Sequence, residues 1–198
     1  MSDAAPVVTV PRALTSMQPF FREAAVNRET SLALLDGLSA DQLSWRPSPA
    51  QWSLADICEH LSAISILYRP AVDTAIARGH TDAAYSEQPF RGNPLSRLLV
   101  WSMEPPVRLR VRSPKTLVPS RNVAPSEARM RYGAAQRAFE LRLERSAGLD
   151  LAHVLVTPPT MHGVRLALGT VLALLLAHER RHLWQATAVR QQASFPPR

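Results

Sequence analysis

Two histidines, His178 and His182, stand four residues apart in the run AHERRHLWQA at residues 177–186. On a helix, side chains at i and i+4 lie one above the other, close enough for both imidazoles to grip one ion. The same spacing also suits two core histidines bonded to their neighbours. Upstream and downstream, Leu168, Val171, Leu175, Gln185 and Val189 recur at helical intervals, so the pair continues an inward-facing stripe. A third histidine, His60, borders the apolar stripe of an earlier helix, one position from Leu61 and three from Ile57. Taken alone it reads as a core or rim histidine.

The elements that must carry these residues are helices. Residues 1–15 hold two prolines and no periodicity, which describes an arm outside a domain over 16–193. Met17, Phe20, Phe21, Ala24, Ala25, Leu32, Leu35 and Leu38 predict a first amphipathic helix over 16–38, closed by Gly37. Ser39-x-x-Gln42 is a capping box for one short turn. Ser53 then caps a second helix, with Asp56 at the third helical position and Trp52 and Ile57 spaced for a hydrophobic staple. Gly79 closes that helix, and Pro70 inside it predicts a kink or an early end. Residues 80–124 form a proline-rich crossover with one short helical candidate over 94–103. Ala128, Tyr132, Ala135, Phe139 and Leu143 mark a third long helix over 125–147, stopped by Gly148. A last one spans 166–192. Four long helices and a long proline-rich crossover between the second and third predict an all-α four-helix bundle.

In such a bundle the second and fourth helices can lie side by side. His60, His178 and His182 then make a set of three neutral nitrogen ligands with positions left open for water or substrate, as catalytic zinc sites have. Neutral ligands imply a metal affinity that falls as pH drops through about 6 to 6.5. Cys58 lies two residues from His60, about 200° around the helix, and reads as a small buried hydrophobe. The pattern fixes no catalytic residue. Glu179 is a candidate base, and Asp56 a candidate acceptor for the His60 ring N–H, with helix capping as its other role. Trp184 and Gln185 read as packing and bonding within the bundle, and His80, His153 and His162 as surface histidines.

Composition removes other classes. The formal charge of +7 comes almost wholly from scattered arginines, Lys115 being the only lysine. The densest group, Arg108, Arg110, Arg112 and Lys115, alternates with Val107, Leu109 and Val111 as in a strand with one wet face, which argues against nucleic-acid binding. No apolar run approaches the roughly 18 residues a membrane span needs. An acidic residue near the start and no basic segment argue against a secretory signal, and a single cysteine suits the cytoplasm.

The run WSLADICEHL at 52–61 together with AHERRHLWQA resembles the DinB-like superfamily of bacterial four-helix bundles. LSADQLSWRPSPAQ and WSMEPPVRLRVRSPKTLVPS are similar to its DinB_2 branch. The resemblance implies one divalent metal ion, zinc or nickel first and iron, cobalt or manganese after them, held by His60, His178 and His182. It further implies a small-molecule substrate, a low-molecular-weight thiol such as bacillithiol or mycothiol, and an S-transferase or isomerase. A metal-dependent hydrolase and a bundle with a structural or vestigial metal are the alternatives. Relatives commonly dimerise, and Trp101 with residues 107–111 offers apolar surface for a homodimer.

Overall fold

The computed structural model describes residues 12–106, 117–119, 123–161 and 163–197, with side chains from Ser16 onward. Among the described residues six helices follow one another: α1 (Arg12–Leu35), α2 (Ala40–Ser44), α3 (Leu54–Thr81), α4 (Pro94–Met103), α5 (Pro125–Arg145) and α6 (Leu168–Arg190). Before α6, β1 (Leu155–Val156) pairs antiparallel with β2 (Leu166–Ala167). The expected all-α bundle is present. Helix α3 packs on α5, α5 on α1, α1 on α6 and α6 on α3, which closes a ring of four, and α4 lies against the outside of α6.

Local chemistry sets the helix starts. The Ser39 hydroxyl accepts from the Gln42 amide, and the Gln42 side chain accepts from the Ser39 amide, completing the capping box of α2. Ser53 and Asp56 form the same reciprocal pair at α3. The Asn93 side chain caps α4, and Pro125, whose missing N–H costs nothing at a first turn, opens α5. Gly37 and Gly148 take positive φ (67° and 83°) just past α1 and α5, as their reading as helix stops requires.

Several boundaries and faces differ from the sequence reading. Helix α1 begins at Arg12, inside the segment read as an arm, and ends before residue 38. Its buried face continues through Asn27 and Ser31, whereas Leu32 is 58% exposed. Two polar residues displaced an apolar one because their side chains find partners inside the bundle. Pro70 neither stops nor shortens α3, which continues to Thr81. Gly79 is a close-packing position, not a terminator: a Cβ there would lie 3.0 Å from Val154 and 3.1 Å from Leu149. The strand pattern at 107–111 and His162 lie outside the described residues.

The core falls into two clusters. The larger joins Met17, Phe20, Tyr68, Val72, Leu143, Leu168 and Leu172 with the β1–β2 turn. The smaller gathers Leu43, Leu54, Ile57, Cys58, Ala186 and Val189 at the other end. The chain's end closes over the second cluster: Gln42 donates to the carbonyls of Pro196 and Pro197, and Phe195 meets Trp45 edge-on at 5.4 Å. Among the described residues, no helix is long and apolar enough to cross a membrane.

Candidate metal centre

The three histidines meet between α3 and α6. His60 and His182 are buried, and His178 keeps some surface toward a cleft. Their ring centroids are 4.6 to 5.2 Å apart, and one nitrogen from each lies within 4.8 Å of the others. The Nε2 atoms of His60 and His178 approach to 3.4 Å. Two nitrogens bound tetrahedrally at zinc's usual 2.0–2.1 Å would be about 3.3–3.4 Å apart, so this pair already has the spacing of ligands to one ion.

Partners on the far side of each ring fix which nitrogen faces inward. His60 Nδ1 donates to the Leu117 carbonyl at 2.9 Å, and His182 Nδ1 donates to Gln185 Oε1 at 3.0 Å. Both partners are acceptors, so the proton sits on Nδ1 and the Nε2 lone pair is left for a cation. Trp52 covers the rings, stacked on His182 at 5.7 Å and 20° and lying 4.9 Å from His60.

Burial also keeps the imidazoles neutral. Desolvation lowers His60, against a smaller opposing effect of its bond to Leu117. It pulls His178 down to about 3, helped by His60 and Arg181, and holds His182 well below its usual range, helped by the other two histidines. Neutral nitrogens are the form in which histidine binds metal. Among the described residues, these three make the group of histidine, cysteine or carboxylate side chains placed to share an ion.

The remaining candidates have other partners. Asp56 accepts from the Ser53 amide at 2.8 Å and takes a two-pronged bond from Arg46 at 2.9 and 2.8 Å, so it caps α3; the His60 N–H goes to Leu117 instead. Glu179 accepts from Tyr132 at 2.6 Å, Gln136 at 2.9 Å and Asn27 at 2.8 Å. Arg180 bonds Glu104 and Glu23 instead. Burial, then Glu179, push the Tyr132 hydroxyl well above its usual range, so Tyr132 stays a proton donor to that carboxylate. Cys58 is 1% exposed and burial drives its thiol up to about 12, in keeping with a packed small side chain rather than a thiolate ligand.

Trp184 is 46% exposed, against its reading as a packed residue, because it projects from the opposite side of α6 from the site. His80 and His153 are exposed as expected; His80 donates to the Arg145 carbonyl and His153 pairs with Asp150. Sequence reasoning missed three supports: the Leu117 carbonyl, the bond from His182 to Gln185, and Trp52 as a cover for the rings. Trp52 and Gln185 lay in the motifs already singled out; a backbone carbonyl from the crossover leaves no trace in residue types.

The family model of the DinB superfamily, in its DinB_2 form, matches residues 24–186, a span that contains all three histidines. The chain belongs to the DinB superfamily. Searches of curated proteins and of solved structures find no match. A DinB-type bundle with three inward-facing imidazoles is compatible with metal binding.

Proposed function

We propose that this DinB-superfamily chain is a divalent-metal-dependent enzyme, an S-transferase using a low-molecular-weight thiol, with His60, His178 and His182 as the protein ligands of one ion. One observation carries the reading: two of the rings are anchored through Nδ1 to oxygens outside the cluster, which turns their Nε2 lone pairs inward toward His178. Three nitrogens with Cys58 packed elsewhere leave coordination positions open, whereas structural zinc sites are closed by four protein ligands. Neutral nitrogen donors suit zinc or nickel first, and iron, cobalt or manganese after them.

A bound cation supplies Lewis acidity, lowering the pKa of a coordinated S–H or O–H so that the nucleophile forms near neutral pH. The chain's own residues do the rest. Leu117 and Gln185 hold two rings in the ligating tautomer, Trp52 shuts water from their face, and the cleft beside His178 admits the reactant. The hydrolase alternative is less favoured, because it needs a free base near the open position and both oxygens of Glu179 already accept hydrogen bonds. The cytoplasm, with its thiol pool, is the compartment this reading implies. A homodimer through α4 fits it too, since Leu95, Leu98 and Trp101 are exposed there.

Cobalt-substituted protein titrated with bacillithiol or mycothiol tests the proposal. A thiolate-to-cobalt charge-transfer band that rises to saturation at one thiol per ion is expected. A site that binds cobalt and stays spectroscopically inert to either thiol would replace this reading with the structural-metal one.

A further inference from the structure

A cleft starts at His178 and runs between α3 and α5, floored by α1 and α6. Its walls are mostly apolar: Ala24, Leu61, Ile64, Val72, Phe139 and Leu175 line it, with Ser65 and Glu140 among them. The inner end is polar but complete, since Glu179, Tyr132 and Gln136 bond one another there. The outer end differs in kind. Arg69 lies nine residues beyond His60 on α3, about 13–14 Å along the helix axis. It lines the cleft, is exposed, and has no hydrogen-bond or ion-pair partner among the described residues. Arg142 reaches the same end from α5, because it bonds Asp73, one turn past Arg69.

Charge at this end is unbalanced. Asp73 takes both Arg142 and Arg145, and Glu140 is answered by Arg28 at 3.2 Å. Four guanidinium groups thus face two carboxylates once Arg69 is counted. A second, independent mark is the Nε–H of Arg142, which is buried and has no acceptor. Its two other nitrogens are engaged with the Ala138 carbonyl and with Asp73, so Arg142 adds positive potential at this end rather than an open donor. Of the two arginines, Arg69 is the one whose fork of N–H donors is open to a carboxylate.

We infer that the cleft binds a small organic anion with an apolar body, its carboxylate held by Arg69 and its other end directed to His178. That class describes the second reactant, the one the thiol would meet. The inference rests on the metal reading only for which end is reactive; carboxylate capture at Arg69 requires no ion.

Calorimetric titration with octanoate, and with octanamide as its neutral counterpart, tests this on both metal-loaded and chelated protein. Octanoate should bind at least about tenfold more tightly than octanamide, with or without metal. Arg69→Ala should remove most of that difference and Arg69→Glu should reverse it, while both variants keep the metal content of the parent chain. Arg69 is exposed and unpaired, so neither change threatens folding. Equal affinity for acid and amide would overturn the inference and leave the metal centre untouched. So would octanoate binding that disappears on chelation and ignores Arg69, since the carboxylate would then sit on the ion. A chain that takes up no metal yet still selects octanoate through Arg69 would sink the proposed function alone.

Discussion

The two halves of α6 follow opposite rules. In the first half, Leu168, Val171, Leu172, Leu176 and Ala177 are all fully buried, with α4 covering the side that a three-neighbour bundle helix would leave wet. A Cβ on Gly169 would come within 2.5 Å of the Phe90 ring, so even a methyl group does not fit. In the second half, Glu179, Arg180, His182 and Gln185 each have a named polar partner, and the helix gives up apolar burial for positioned nitrogen and oxygen atoms. One rigid rod is anchored at one end so that its other end can hold a site to within fractions of an ångström.

The contrast is most easily broken in the anchoring half. Leu172→Ala deletes a fully buried side chain and should cost about 3 kcal/mol of unfolding free energy in urea titration. Gly169→Ala should cost about 1–3 kcal/mol, as overpacking does, because the Phe90 ring must shift. A loss of only a few tenths in both variants would show that this half is loosely packed after all.

Acid sharpens the comparison, since only the second half of α6 titrates in the range concerned. Without metal, the folded chain holds His60, His178 and His182 neutral, whereas the unfolded chain protonates them near 6.5. The unfolded state therefore binds more protons, and stability falls as pH drops below about 6.5, continuing toward about 3 for His178. Thermal melts of metal-free protein between about pH 7.5 and 5 should show this decline, and His178→Ala should flatten it. For the same reason metal retention should persist below the range of 6 to 6.5 read from the sequence, as metal content measured against pH would reveal.

The smallest effect on stability is expected where the effect on chemistry is greatest. His178→Ala should remove most of the bound metal and change unfolding free energy by less than about 1 kcal/mol, because that side chain lines the cleft and keeps some exposure. Chelating the parent chain should leave its circular dichroism helical with a modestly lower melting temperature. A collapse of the helical signal at 25 °C would mean that the metal, not the first half of α6, is the anchor.

Much of this contrast was legible in the residues. The spacing of His178 and His182, the capping residues Ser39 and Ser53, and the apolar stripes of α3, α5 and α6 are periodic signals, and periodicity survives in a linear string. Residues read differently from their final roles show what local spacing leaves open. Leu32 looks inward by type, but Asn27 and Ser31 occupy that face because Glu179 and Gln136 await them across the bundle. Asp56 looks like a histidine partner by spacing, but Arg46 and the Ser53 amide reach it first. Pro70 breaks an isolated helix, whereas α3 is gripped by α5 on both sides of it. Partners distant in the chain decided the cases of Leu32 and Pro70, and no local window contains them; Asp56 was settled nearby, in the capping role its position also allowed.

The bond from His60 to Leu117 has one more consequence. What the site asks of residue 117 is a peptide oxygen at a given point in space, and all twenty amino acids carry that oxygen. Substituting the side chain tests only how well the crossover packs, so a scan of point variants would pass over one of the centre's orienting groups. The heritable specification of that group is distributed over whatever holds the crossover in place. Lengthening or shortening the connection by a single residue is the change that would find it.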